Sequence, residues 1–160
     1  MKSLVVFYSY DGNTKFIAKT IAQTVGADLL QLKPVGEKRW WGPLKYLFGG
    51  RQATLKLTPE LEPFKPNPQD YDLIFIGTPV WAWNYTPAIN SFLTNTKLTN
   101  KKIALFCSCG GQPEKTLDKM TERLAGNKIL GTIIFKEPLK YNQEEQSNRA
   151  EQWALSMIKA

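Results

Sequence analysis

The chain has 160 residues, of which 42% are hydrophobic and 22% are charged, and its formal net charge is +7. This length and composition are typical of one globular domain with a full core, and no apolar run approaches the roughly 20 residues that a membrane-spanning helix needs. The chain contains no His and two Cys. It therefore lacks the imidazole of Ser-His and Cys-His hydrolytic sites, and two thiolates alone make a poor metal site.

The N-terminus, MKSLVVFYSYDG, has one Lys and a short apolar run, so it is interpreted as a first strand rather than a signal peptide. We therefore expect a cytoplasmic protein. The positive charge indicates either a solvated basic surface or attraction to an acidic partner or an anionic membrane face. Nucleic acid is a weaker option, because the Lys and Arg residues are scattered.

Strand-like apolar runs alternate with helical patterns along the chain. The predicted strands are Leu4–Tyr8, Leu29–Leu32, Leu73–Gly77, Ile103–Cys107 and Ile129–Phe135. Three of them are near-continuous hydrophobic runs, which is typical of strands buried on both faces of a parallel sheet. The alternation predicts an α/β three-layer sandwich around a parallel sheet, and five strands with four helices fit the strand order 2-1-3-4-5.

Four helices are predicted between and after these strands. Gly26 is expected to end the first, and Thr86 followed by Pro87 is expected to begin the second. The four apolar stripes are Ile17, Ile21 and Val25; Ile89, Phe92 and Leu93; Leu117, Met120 and Leu124; and Ala150, Trp153, Ala154, Met157 and Ile158. We interpret all of them as core faces.

The segment at about 34–70 interrupts this pattern within an otherwise single domain of residues 1–160. It is rich in Pro and Gly and carries Trp40, Trp41, Tyr46 and Phe48, with a possible short helix at Pro43–Phe48. A long loop in a compact domain is usually functional or disordered, and the aromatic residues argue against disorder. Two interpretations stay open: the segment packs over one face of the sheet, or it overhangs a ligand or a partner.

Three loops follow the three central strands of the predicted sheet. Ser9–Thr14 joins a strand to a helix N-terminus, which suits a phosphate group held by amides and hydroxyls, since the loop has no Lys or Arg. Thr78–Thr86 holds two Trp and a Tyr, which would cover something flat or pack on one another. Ser108–Gln112 is glycine-rich and presents backbone amides. The loops together predict a ligand with a phosphate at one end and a flat ring system at the other.

The motifs YSYDGNT, GTPVWAWNYTPAINSFL and CSCGG resemble the flavodoxin family in order and spacing, and the resemblance covers nearly the whole chain. The resemblance implies a flavodoxin-like fold with FMN bound at the three loops. The cofactor-binding residues that it implies are Ser9, Tyr10, Asp11, Gly12, Asn13, Thr14, Thr78, Pro79, Val80, Trp81, Ala82, Trp83, Cys109, Gly110 and Gly111.

The resemblance also implies a role for each loop. The first would hold the phosphate, with Asp11 acting through its backbone or bracing the loop, because a carboxylate would repel a phosphate. The second would line the ribityl chain and the isoalloxazine, with Trp81 or Trp83 stacked on the ring. Cys109–Gly111 would contact the pyrimidine edge, and Cys107 is expected to be a core residue.

Two features depart from the family's pattern. Flavodoxins are typically acidic, whereas this chain is basic, and the third loop has no aromatic residue to stack on the outer face of the ring. Trp40, Trp41 or Tyr10 would substitute, or that face would be open to a substrate.

Three functions follow from these observations. The first is an FMN protein that carries electrons between redox partner proteins, which the basic charge predicts to be acidic. The second is an FMN-dependent NAD(P)H or quinone reductase, favoured by the missing aromatic residue. The third, from another class, is a receiver-like signalling module, which would need an acceptor Asp where the third strand ends in Gly77 and Thr78.

Overall fold

The computed structural model describes residues 1–37, 51, 55 and 57–160. In this part of the chain a parallel sheet has the strand order β2-β1-β3-β4-β5, which confirms the predicted fold. The strands are β1 (Ser3–Phe7), β2 (Asp28–Gln31), β3 (Leu73–Pro79), β4 (Lys102–Cys109) and β5 (Lys128–Lys136). Their ends differ from the predicted ends by no more than two residues.

Four α-helices flank the sheet in the described ranges: α1 (Asn13–Val25), α2 (Pro87–Thr96), α3 (Thr116–Arg123) and α4 (Gln143–Lys159). Gly26 ends α1 in the left-handed conformation, and Pro87 is the first residue of α2, both as predicted. The third helix ends earlier than its apolar stripe suggests, because Leu124 is already the C-terminal cap. None of the helices that the structure describes is long and apolar enough to cross a membrane.

Alternate residues of the central strands face opposite sides of the sheet and build two cores. On one side Leu4 and Val6 pack with residues of α2 and α3, and Cys107 is buried here as predicted. On the other side Val5 and Phe7 pack with residues of α1 and α4. Both faces of the sheet are therefore covered, and the sheet's carboxyl edge is the place where loops can form a site.

The close packing of β3 on β4 explains why β3 contains a glycine. A Cβ atom on Gly77 would lie 2.1 Å from Cζ of Phe106, a distance that no real side chain tolerates. This glycine lets the Phe106 ring lie directly on the backbone of the central strand, immediately below the second loop.

The described part of the segment at 34–70 packs against the rest of the domain. Within the segment, Pro34 pairs with Leu61 in an antiparallel bridge. From outside the segment, the Ser91 hydroxyl of α2 donates a 2.6 Å hydrogen bond to the Pro59 carbonyl. The Tyr8 hydroxyl, which lies next to the first loop, donates to the Glu37 carboxylate. Trp40, Trp41 and the possible helix at Pro43–Phe48, with its Tyr46 and Phe48, lie outside the described residues.

Candidate functional site

A cavity of about 610 Å³ opens at the carboxyl ends of β1, β3 and β4. This is the crevice where the strand order reverses, the usual ligand position in open α/β sheets, and its volume is within the range of about 300–1,000 Å³ typical of ligand pockets. The described residues that line it are Ser9, Tyr10, Asp11, Asn13, Thr14, Pro79, Val80, Trp81, Ala82, Ser108, Cys109, Gly110, Gly111 and Glu137.

The cavity brings together all the predicted cofactor residues except Gly12, Thr78 and Trp83. Thr78 lies within β3 and is buried, where its hydroxyl accepts the Thr86 N–H at 3.1 Å. Gly12 contributes a turn rather than a lining side chain, and Trp83 is 63% exposed. Ser108, which belongs to the predicted third loop, and Glu137 also line the cavity, although neither is among the predicted cofactor-binding residues.

The first loop is organised around Ser9. The Ser9 hydroxyl oxygen accepts N–H groups from Gly12 and Lys15, both at 3.2 Å. Gly12 caps α1 with φ 95°, a left-handed conformation that glycine adopts at little cost. The loop thus turns sharply into a helix N-terminus whose amides converge on one oxygen, an arrangement that suits an anion.

Two long-range hydrogen bonds tie the first loop to the rest of the site. The buried hydroxyls of Thr14 and Ser108 lie 2.6 Å apart and join the first loop to the third. The Asn13 side-chain oxygen accepts the Leu139 N–H at 3.0 Å. Thr14 and Asn13, which are expected to bind a phosphate, therefore also fasten the first loop to the third loop and to Leu139.

The second loop is a tight turn over Trp81–Asn84. The N–H of Trp81 donates to the Asn84 carbonyl at 2.9 Å, and the Asn84 N–H returns to the Trp81 carbonyl at 3.0 Å. The two central residues, Ala82 and Trp83, have φ values of 47° and 58°. This is the turn geometry in which glycine and asparagine are preferred, so the loop carries backbone strain.

Aromatic side chains occupy the second-loop end of the cavity. The Trp81 ring makes edge-to-face contacts with Tyr8 and Tyr10, each with centroids 5.7 Å apart. Trp83 lies at the exposed tip of the turn, where its carbonyl accepts a 2.9 Å hydrogen bond from the Lys119 ammonium of α3. Trp81 is therefore held by the fold, whereas Trp83 projects from it.

The third loop presents small groups beside a buried thiol. Burial raises the pKa of the Cys109 thiol above its ordinary value, and Glu137 adds to that shift while Lys136 opposes it. The thiol therefore stays protonated at neutral pH and acts as lining. The third loop is joined to the second because the Val80 N–H donates to the Ser108 carbonyl at 2.9 Å.

Among the described residues that line the cavity, Asp11 and Glu137 carry charge and none is a Lys or Arg. The groups available to a phosphate here are amides, hydroxyls and the α1 N-terminus. Glu137 was missed because the three-loop interpretation stopped at β4. It directly follows Lys136, the last residue of β5, so the rule that sites gather at carboxyl ends of parallel strands would have found it.

A family model described as Flavodoxin matches residues 51–156. The chain belongs to the flavodoxin family. Membership supports FMN as the cofactor, and the site fits it: amides and hydroxyls at a helix N-terminus suit the phosphate, and Trp81 lies where a flat ring can pack.

Individual relatives of this flavodoxin-family chain cover nearly its full length. An uncharacterized protein of Methanocaldococcus jannaschii is 25% identical over 179 residues, covering 99% of both chains. The crystal structure of a flavoprotein in complex with FMN from Lactobacillus acidophilus is 23% identical, covers 91% of this chain and 98% of that chain, and has a TM-score of 0.72. Oxidised Flavodoxin 2 from Bacillus cereus is 20% identical, covers 99% of both chains, and has a TM-score of 0.63. At these identities the two solved structures establish the fold.

Proposed function

We propose that this chain is a redox protein that holds FMN in the cavity and carries electrons between partner proteins. The observation that supports this most directly is that the two ends of the cavity differ chemically. One end is a helix N-terminus whose described lining residues include no lysine or arginine, and the other is bordered by Trp81 and Tyr10. This arrangement suits a permanently bound cofactor better than phosphoryl transfer, which usually needs a cation.

The first loop would hold the phosphate. The N–H groups of Gly12 and Lys15 already converge on the Ser9 hydroxyl, and the hydroxyls of Ser9 and Thr14 lie at the same end of the cavity. Asp11 would contribute through its backbone, since a carboxylate beside a phosphate is repulsive. Because Thr14 is braced by Ser108, this end of the site is organised before the cofactor arrives.

The second loop would hold the ring. We assign the stacking contact to Trp81, because it lines the cavity and two tyrosines fix its orientation. Trp83 would cover the rim. The Trp83 carbonyl is engaged by Lys119, so the Ala82 carbonyl is the better acceptor for a donor on the ring.

When bound, FMN supplies the electron transfer itself. The chain's contribution is to exclude water from the ring with Val80 and Trp81, and to present the third-loop amides to the pyrimidine edge. The net charge of +7 favours acidic partners, whose association should weaken as salt rises. A cytoplasmic location and a single domain over residues 1–160 remain part of this proposal.

A second candidate function is an NAD(P)H or quinone reductase. It is favoured by the third loop, where Cys109, Gly110 and Gly111 line the cavity without contributing a ring. A substrate would then lie against the uncovered face of the flavin. The receiver-like alternative is disfavoured for two reasons. The chain belongs to the flavodoxin family, and β3, which ends at Pro79, contains no acceptor Asp.

A visible absorption spectrum tests this proposal. Purified protein is recorded before and after FMN addition and gel filtration, then mixed anaerobically with NADPH. A flavin spectrum that survives gel filtration and is not bleached by NADPH supports the carrier. Rapid bleaching favours the reductase instead. Absence of bound flavin contradicts both.

A further inference from the structure

The loop between β5 and α4, residues 137–142, borders the cavity as a fourth loop. The Glu137 N–H donates to the Cys109 carbonyl at 3.0 Å, and the Leu139 N–H donates to Asn13 at 3.0 Å. This loop therefore bridges the third and first loops. It is a structural part of the site.

The backbone holds Glu137 in an uncommon conformation. Its φ is 35°, and its carbonyl accepts N–H groups from both Lys140 (2.8 Å) and Tyr141 (3.0 Å). A non-glycine residue persists in the left-handed region only where its surroundings hold it there. The direction of the Glu137 side chain is thus set by the turn.

That direction places the carboxylate beside the third loop. Glu137 lines the cavity, its side chain is 31% exposed, and a Cβ atom added to Gly110 would lie 3.4 Å from its carboxyl carbon. The Lys140 ammonium lies 3.6 Å from Oε2 of Glu137 and is 62% exposed. A pair this exposed is weak, so the carboxylate keeps most of its capacity to accept hydrogen bonds.

We propose that Glu137 is a cofactor-contacting residue whose carboxylate accepts the imide N–H at the pyrimidine edge of the flavin. This inference rests on the proposed function. The Cys109 carbonyl of the third loop already accepts a hydrogen bond from the Glu137 N–H. The imide is a donor and needs an acceptor, and the Glu137 carboxylate lies beside the same loop.

The charge of Glu137 has a second consequence. Reduction adds negative charge to a flavin, so a nearby carboxylate disfavours the reduced cofactor and lowers its midpoint potential. Lys140 offsets this in part. Neutralising Glu137 should therefore raise the potential, and neutralising Lys140 should lower it by a smaller amount.

The first test compares FMN with FMN methylated at the imide nitrogen, both titrated into the apoprotein. The readout is the ratio of the two Kd values, which cancels general charge effects. The wild-type ratio should be at least about 10, the size expected for a hydrogen bond to a charged group, and Glu137→Leu should bring it close to unity. Glu114→Gln is the matched control, since Glu114 is exposed, lies just beyond the third loop and also has a positive φ.

The second readout is the midpoint potential of the bound flavin in Glu137→Gln, Lys140→Met and Glu114→Gln. We expect a rise, a smaller fall and no change, respectively. An unchanged Kd ratio in Glu137→Leu overturns the imide contact, and an unchanged potential in Glu137→Gln overturns the charge effect. Wild-type protein that binds no FMN overturns the proposed function and this inference together.

Discussion

The first and second loops border the same cavity but are held in different ways. The first loop has its one positive φ at Gly12, and hydrogen bonds to the side chains of Ser9, Thr14 and Asn13 tie it to its own helix and to distant segments. The second has positive φ at Ala82 and Trp83, where side chains oppose it, and extends into solvent. The comparison indicates that the first loop, where we propose the phosphate binds, is preorganised, while the second loop, where we propose the ring binds, carries backbone strain.

The largest expected effect is at the first loop, in Gly12→Val. A Cβ at this position would lie 3.1 Å from Cδ1 of Leu139 and would require a side chain at φ 95°. We expect FMN affinity to fall by at least about tenfold, because the turn that aims the α1 amides is lost. Riboflavin, which lacks the phosphate, should be affected much less, and fluorescence titration of both ligands measures this.

Gly26→Val is the matched control for that change. Gly26 has φ 64° at the far end of α1, and a Cβ atom there would meet no described atom within 4 Å beyond its chain neighbours. The substitution should lower stability through the same backbone strain and leave FMN affinity unchanged. Equal losses of FMN and riboflavin binding in Gly12→Val would contradict the phosphate assignment.

The next effect concerns the brace between the first and third loops. Thr14→Val keeps the side-chain shape but leaves the buried Ser108 hydroxyl without its 2.6 Å partner, which should cost about 1–3 kcal/mol of unfolding free energy. Denaturant unfolding of the apoprotein measures it. The double variant Thr14→Val/Ser108→Ala should lose less unfolding free energy than the sum of the losses in the two single variants. Strict additivity would mean that the two hydroxyls are not coupled.

Replacing each tryptophan of the second loop separates its contribution to apoprotein stability from its contribution to FMN binding. Trp81→Ala should weaken FMN binding by about 1–3 kcal/mol, the usual contribution of a stacked aromatic, and should also destabilise the apoprotein because contacts with Tyr8 and Tyr10 are lost.

Trp83→Ala should weaken FMN binding too, by a smaller amount, and leave apoprotein stability nearly unchanged because Trp83 is exposed. Calorimetric titration and thermal unfolding of both variants distinguish the two effects. Unchanged FMN affinity in both variants would show that the ring lies elsewhere.

The smallest effect is expected from Lys119→Met. Loss of the ammonium bond to the Trp83 carbonyl should loosen the strained turn and increase hydrogen exchange of the Asn84 amide a few fold, with little change in global stability. The Phe16 amide, which donates to Gly12 in the first loop, should not change. Lys115→Met, one turn earlier on the same face, is the control. Equal exchange of the Asn84 amide in both variants would show that the Lys119 hydrogen bond does not hold the turn.

Most of the fold was predictable because its signals are local. The buried runs of β1, β3 and β4, the glycine after α1 and the Thr-Pro start of α2 each encode an element within a few residues. The end of α3 at Arg123 was harder to predict from the sequence, because the apolar stripe continues to Leu124, beyond the last helical residue. The interpretation of Trp40 and Trp41 concerns residues outside the described part of the chain and stays a prediction.

The sequence by itself located the five strands, the three loops that follow the central strands and the absence of Lys and Arg from Ser9–Thr14, because short-range patterns encode these features. Tertiary structure alone decided that Thr14 pairs with Ser108, that Trp81 rather than Trp83 lines the cavity, and that Glu137 reaches the third loop. The physical reason is sequence separation. These contacts join segments far apart in the chain, and side-chain directions in a loop depend on turn geometry and on what packs against it.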